Sequence, residues 1–228
     1  ITRKAYKFEG EHGIDMVEID VPEDMKDKVE EYRGALLEKV AEASDELMNK
    51  YLEGGDLSEE EIEKGIRVLV LKDEIYPVMC GTALQDIGVQ PALDKVISYL
   101  PSPLDVPVLE GTDPDDEEKK IEVKANDDEP FTALAFKIAT DPFVGKLAFF
   151  RIYSGSVKAG SYILNSNTGK RERIGRIVRL HANSREEVDE VFAGEIAAAI
   201  GLKATTTGNT LCAEDRPVVL EQITFPEP

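Results

Sequence analysis

The sequence predicts two units of different class, an α/β (α+β) first half and an all-β second half closed as a barrel. Three observations carry this. Residues 1–130 hold 35 acidic and 15 basic side chains (−20), while residues 131–228 hold 11 and 12 (+1). Helical spacing of apolar residues dominates the first stretch, and strand formers cut by turn pairs dominate the second. The 228 residues suit one large domain or two of about 100. An apolar share of 42% supplies a core and excludes global disorder. No apolar run approaches the roughly 20 residues that span a bilayer, and residues 1–7 lack the apolar core of a signal peptide. The expectation is a cytoplasmic monomer. Two cysteines 132 positions apart make neither a disulfide framework nor a zinc site, so Cys80 and Cys212 read as reduced, buried thiols. The chain opens mid-pattern on Ile1 with no initiator Met, which predicts a fragment.

Residues 1–21 alternate loosely around Tyr6, Phe8, Val17 and Ile19, which suits short strands. From Pro22 one long helix is expected to Tyr51, with Val29, Tyr32, Leu36, Val40, Ala43 and Leu47 as its apolar stripe. Gly54 and Gly55 stop it. Ser58 and Glu61 form a capping box, flanked by Leu57 and Ile62 as a hydrophobic staple. Residues 75–80 read as a buried strand that meets a Gly-Thr-Ala-Leu loop. Pro91 suits a first helical turn, and Leu93, Val96, Ile97 and Leu100 make the inner face of the helix that follows. Residues 101–125 read as a linker, because four prolines and the acidic run at 115–118 offer no core. Beyond it, residues 131–139 and 147–153 are strand-like, with turns at Ser154-Gly155, Ala159-Gly160 and Thr168-Gly169. Short strands at such spacing favour a closed barrel, since closure removes sheet edges.

Several chemistries are absent. Gly145-Lys146 and Gly169-Lys170 precede Leu147 and Arg171, so neither completes a phosphate loop with a magnesium-binding hydroxyl. No Asp lies three residues before a Gly, and Asn49-Lys50 lacks the Asp of a guanine-reading motif. His12 and His181 have no neighbouring ligands, and no Ser or Cys has an evident base. The chain alone shows no catalytic apparatus.

Three constellations remain. Thr82, Ala83 and Leu84 lie in a small-residue loop after a strand, where backbone N–H groups can approach a ligand; an ordinary strand-to-helix turn has the same composition. Lys170, Arg171, Arg173, Arg176 and Arg179, opposed only by Glu172, offer dispersed cations for phosphates. On a strand Arg171 and Arg173 share a face that Arg179 joins, with Ile174 and Val178 opposite. No aromatic interleaves them, which favours phosphate contact over base stacking. Pairing with Glu186, Glu187 and Glu190 would make the same arginines purely structural. Glu31, Glu38, Glu42 and Asp45 give the first long helix an acidic face, a solvated surface or a docking site for a basic protein.

At these residues the sequence resembles translation elongation factor G. The carrying segments are Gly88-Val-Gln-Pro-Ala-Leu-Asp-Lys-Val-Ile-Ser-Tyr-Leu-Pro-Ser-Pro-Leu-Asp-Val-Pro107, residues 127–146, Lys170-Arg-Glu-Arg-Ile-Gly-Arg176, His181-Ala-Asn183 and Thr205-Thr-Thr-Gly-Asn-Thr-Leu211. The resemblance implies a fold: residues 1–72 as the subdomain inserted into a GTPase domain, 73–100 as that domain's last strand and helix, 101–125 as linker, and 126–228 as a translation-factor barrel, with a third domain beginning near 225–228. It implies that the phosphate loop and switches precede Ile1, so GTP and Mg belong to the intact protein and not to this fragment. Thr82-Ala83-Leu84 matches the family's guanine-contact loop, usually Ser-Ala-Leu or Ser-Ala-Phe. Gln85-Asp86-Ile87 departs from the usual Lys-Asn-Lys and removes two positive charges there.

The activity implied is GTP-dependent translocation of tRNA and mRNA on the ribosome. The implied partners are small-subunit ribosomal RNA at the basic strand and the ribosomal stalk protein at the acidic helix. Two rivals stand beside it: a free-standing, non-catalytic ribosome-binding module, and a paralogous ribosome-rescue or drug-protection GTPase.

Overall fold

The computed structural model describes residues 1–142, 144–182 and 184–221, and Glu117 by its backbone. Phe143, Asn183 and residues 225–228, which belong to segments named above, lie outside the described residues. The chain divides into two compact units, Ile1–Ser102 and Pro103–Pro228.

The first unit opens with an antiparallel hairpin, β1 (Ala5–Glu9) and β2 (Asp15–Ile19), then four helices: α1 (Lys26–Ala41), α2 (Asp45–Leu52), α3 (Glu59–Leu71) and α4 (Val89–Tyr99). The single helix expected over 22–51 is two. Ser44 is extended (φ −159°, ψ 155°), and its hydroxyl accepts the Leu47 N–H, capping α2. A capping serine followed by Asp45 and Glu46 in the first turn is a helix start, and it outweighs continuous apolar spacing. Leu36, Val40, Ala43 and Leu47 of the expected stripe do face the core, and Tyr32 departs from it. Tyr32 is exposed, while Arg33 is buried and donates to the Asp56 carboxylate and to the carbonyls of Leu57 and Ile1. A guanidinium is tolerated inside only because such partners replace water.

The capping box forms as expected. Ser58 N–H donates to the Glu61 carboxylate at 2.7 Å, and Glu61 N–H to the Ser58 hydroxyl at 3.3 Å. Leu57 and Ile62 are buried on either side of it. Lys50 Nζ reaches Glu61 at 2.6 Å and ties α2 to α3. Lys50 first, then Ser58, hold the Glu61 carboxyl down at about 2. Val40, Leu57, Ile62, Ile66 and Tyr99 make the core between the helices.

Two expectations fail around residues 75–100. Residues 75–80 form no strand and pair with no described strand; Val78 is 87% exposed and Cys80 is an exposed thiol. On α4, Leu93, Val96, Ile97 and Leu100 face outward and Tyr99 is the buried residue. Apolar on both faces, 75–80 has the composition of an inner sheet strand, and such a strand is buried only by neighbouring strands and covering helices. The four described sheets offer it none.

The second unit begins before the barrel. The stretch 101–125 contains a hairpin, β3 (Leu109–Asp113) and β4 (Asp116–Val123). Thr112 and Val219 exchange both backbone hydrogen bonds at 2.8 Å. Ile121 and Val123, alternating with charged neighbours, form a small core with Cys212, Val218 and Leu220. Charge and proline concealed a two-residue period that a hairpin needs.

The main sheet takes β5 (Thr132–Asp141), β6 (Gly145–Ser154), β8 (Tyr162–Asn165), β9 (Lys170–Arg173), β10 (Arg176–His181), β11 (Ser184–Val188), β13 (Ile196–Ile200) and β14 (Asn209–Cys212). A short pair, β7 (Val157–Lys158) with β12 (Glu190–Val191), flanks it. The antiparallel order is β11-β10-β13-β6-β5-β14-β8-β9. Its closure comes from chain continuity. β9 and β10 are halves of one run bent at Ile174-Gly175; the first half pairs with β8 and the second with β13. Small inward residues Ala133, Ala135, Ala197 and Ala199 leave room for Phe150, Ile152, Ile163 and Ile174.

At the bend, Gly175 N–H donates to the Ile200 carbonyl at 2.8 Å. A Cβ on Gly175 would stand 2.9 Å from that oxygen, and Gly201 (φ 111°) sits against Gly175 from the other side. Gly175→Ala should therefore lower barrel stability by about 1–3 kcal/mol. Calorimetry should show its melting several degrees lower. Unchanged melting would mean that closure does not depend on this approach.

Candidate functional site

The basic run is the strongest sequence candidate, and the bend divides it. Before the bend, Arg171 and Arg173 point outward from β9. Arg171 Nε lies 2.7 Å from the Glu214 carboxylate, and its Cζ sits 4.0 Å from the centroid of the Tyr162 ring. Arg173 is paired in register with Tyr162 and donates from Nε to the Gly160 carbonyl at 3.0 Å. Lys170 is exposed at the hairpin tip, on the alternate side of the strand.

After the bend the alternation restarts. Ile174 and Ile177 are both in the barrel core although three apart, and Val178 joins an outer cluster with Leu147 and Ala198. Arg179 accordingly does not join Arg171 and Arg173; it is half-buried and 2.5 Å from Glu195. Arg176 lies 3.6 Å from Glu187. Arg176 and Arg179 thus each have a carboxylate partner, and that of Arg179 is Glu195 rather than Glu186 or Glu190. The face that remains holds Arg171, Arg173 and Tyr162.

Tyr162 escapes the sequence reading because spacing along one strand hides a cross-strand neighbour. Counting back from the Thr168-Gly169 turn through the β8–β9 hairpin places it opposite Arg173 and diagonal to Arg171. The aromatic absent from the basic strand stands on the next strand.

Glu172 is also more than the opposing charge it resembles in the sequence. It is buried, and its carboxylate accepts N–H bonds from Lys203 (2.6 Å) and Ala204 (2.8 Å) and the Thr205 hydroxyl (2.5 Å). Asn165 extends the network to Thr205 and Asn209. Burial pushes the Glu172 carboxyl up, but the bonds from Thr205, Ala204, Lys203 and Asn165 together outweigh it and hold the group below its ordinary value. This carboxylate fixes the 202–206 loop beneath the strand that displays Arg171 and Arg173.

The other two candidates lie in the first unit. The loop around Thr82, Ala83 and Leu84 is exposed and closed by Thr82 and Ile87, whose N–H and C=O groups bond reciprocally at 3.0 and 3.3 Å. Gln85 and Asp86 N–H groups also bond within the loop; those of Ala83 and Leu84 take no part in these bonds. Glu31, Glu38 and Glu42 are exposed along α1, whereas Asp45 starts α2, so the four acids span two helices. Glu42 caps the end of α1 and pairs with Lys39 at 2.5 Å.

Residues 145–212 match the protein family described as elongation factor Tu domain 2. The match runs from the first residue of β6 to the last of β14, taking in the bend. A solved crystal structure of a Thermus thermophilus protein is similar over 94% of this chain, with a TM-score of 0.71 and 27% sequence identity. The chain spans 29% of that protein's length. The barrel is thus of the translation-factor type.

Because the folded Glu172 carboxyl lies below its ordinary value, its stabilisation is fully present above the unfolded carboxylate range, about 4.3. It is lost as pH falls through the folded value. Glu172→Gln should destabilise the barrel by roughly 1.5–3 kcal/mol at pH 7, and the gap to the parent should narrow in acid. Thermal melts from pH 3 to 8 test this. A pH-independent gap would assign the loss to shape rather than charge.

Proposed function

We propose that this chain acts as part of a translational GTPase of the elongation factor G type, which couples GTP hydrolysis to movement of tRNA and mRNA through the ribosome in the cytoplasm. The observation that carries this is the closed barrel whose β6–β14 stretch matches elongation factor Tu domain 2. The uncovered apolar surface of residues 75–80 and α4 supports it over a free-standing module. Exposed apolar surface can mark an interface, and the composition of 75–80 and α4 fits a strand and helix packed within a larger α/β sheet.

In this reading the Thr82–Leu84 loop faces the guanine base of GTP, offering the Ala83 and Leu84 N–H groups. Among the described residues no cluster of three or more His, Cys, Asp or Glu gathers that could hold a metal ion. The barrel rests on small-subunit ribosomal RNA through Arg171 and Arg173. The acidic surface of α1 and the start of α2 meets a basic face of the ribosomal stalk protein.

Arg171→Ala with Arg173→Ala should weaken binding to isolated small subunits. It should also reduce the slope of log affinity against log salt by roughly one to two. A variant that melts lower but binds normally once folded would reduce the two arginines to a structural role. For the acidic surface, Glu38→Lys with Glu42→Lys should weaken stalk-domain binding chiefly at low salt, because opposite fields mainly speed encounter. An NMR titration in which the stalk domain shifts only barrel signals would overturn that assignment.

A further inference from the structure

We propose that the outward face of the β8–β9 hairpin seats one unpaired RNA base on the Arg171 guanidinium, backed by Tyr162, with Arg173 beside it for an adjoining phosphate. This rests on the RNA-docking reading and adds what that reading lacks, a requirement for an unstacked nucleotide.

Tyr162 is 52% exposed and the Arg171 side chain 58% exposed, although large aromatics are usually covered. The guanidinium carbon lies over the Tyr162 ring, 4.0 Å from its centroid, and Glu214 engages Nε at 2.7 Å, so the group is held against the ring. Arg173 lies across from Tyr162 on the same face, about 6.8 Å along the strand from Arg171. No side chain at Gly160 crowds the Arg173 end.

A guanidinium fixed over a ring is a planar, cationic platform. Bases of single-stranded loops and bulges stack on aromatic rings and on arginine planes, and cation–π attraction strengthens the stack. A paired base within an A-form duplex keeps both faces against its neighbours, so continuous duplex RNA could use only the charges here. The platform therefore predicts preference for a bulged or looped nucleotide, with little dependence on which base it is, since every base has a π-face. The bland alternative is that Tyr162, Arg171 and Glu214 satisfy one another and nothing more; it predicts no such preference.

The test uses the full chain and two fluorescein-labelled RNA hairpins of equal length, one continuous and one with a single-nucleotide bulge, at fixed salt. The bulged hairpin should bind about five- to a hundredfold tighter. Tyr162→Ala and Arg171→Lys should each abolish that ratio, and Arg171→Lys, which keeps the charge but loses the plane, should leave the salt slope unchanged. Tyr162→Phe should retain the ratio and serves as the folding control. Equal binding of both hairpins by the parent, with a normal salt slope, overturns the platform and leaves phosphate docking standing. A bulge preference that survives both Tyr162→Ala and Arg171→Lys also overturns it, by placing the base elsewhere. Binding of neither hairpin overturns the platform together with the RNA-docking reading beneath it.

Discussion

The barrel depends on one close approach, the contact of the Ile174-Gly175 bend with Ile200-Gly201. Eight strands in antiparallel order leave edges at β11 and β9, and here the β9 edge runs by a bend into β10, next to the opposite edge, so that the two halves of one run serve different neighbours. The bend works because Gly175 has no side chain to meet the Ile200 carbonyl. It resets which residues point inward, and so decides which arginines share a face. Closure and the composition of the candidate surface thus have the same cause.

That dependence explains how much of the molecule was legible in the sequence. Signals contained in a few consecutive residues read correctly: the Ser58–Glu61 capping box, its Leu57–Ile62 staple and the Gly54-Gly55 stop. Signals that compete did not. An unbroken apolar rhythm across 22–51 masked the cap at Ser44, and acidic residues with prolines masked the Ile121/Val123 alternation of β4. Burial was least legible where it depends on tertiary neighbours. Residues 75–80 and α4 have core composition, yet among the described residues Val78 and Ile97 stay exposed.

The candidate surface shows the same division. The arginines are visible as a cluster because they are near in sequence. Their grouping into Arg171 with Arg173, apart from Arg176 and Arg179, follows from a bend that one strand's alternation cannot reveal. Tyr162 becomes a neighbour only through hairpin register. Glu172 is plain as an opposing charge in the sequence, but its partners lie about thirty residues on, in the Lys203 and Ala204 backbone N–H groups and the Thr205 hydroxyl. Hydrogen bonds across such separations are fixed by the closed sheet, not by local pattern.

The charge asymmetry then bears on how a chain of net charge −19 can meet RNA at all. All of the excess belongs to residues 1–130 (−20), while residues 131–228 are nearly balanced (+1). Exposed charges act over about 10 Å at 0.1 M ionic strength, so a polyanion at the barrel responds to the groups beneath it rather than to the sum over the chain. Arg176 lies 3.6 Å from Glu187 and Arg179 2.5 Å from Glu195, so carboxylates partly offset both. Glu214 partly offsets Arg171 as well, yet in holding the guanidinium over Tyr162 it exchanges some attraction for a fixed plane. A surface with so few unopposed cations cannot rely on charge alone for affinity. Contact shape, set by the bend and the hairpin register, has to supply the remainder.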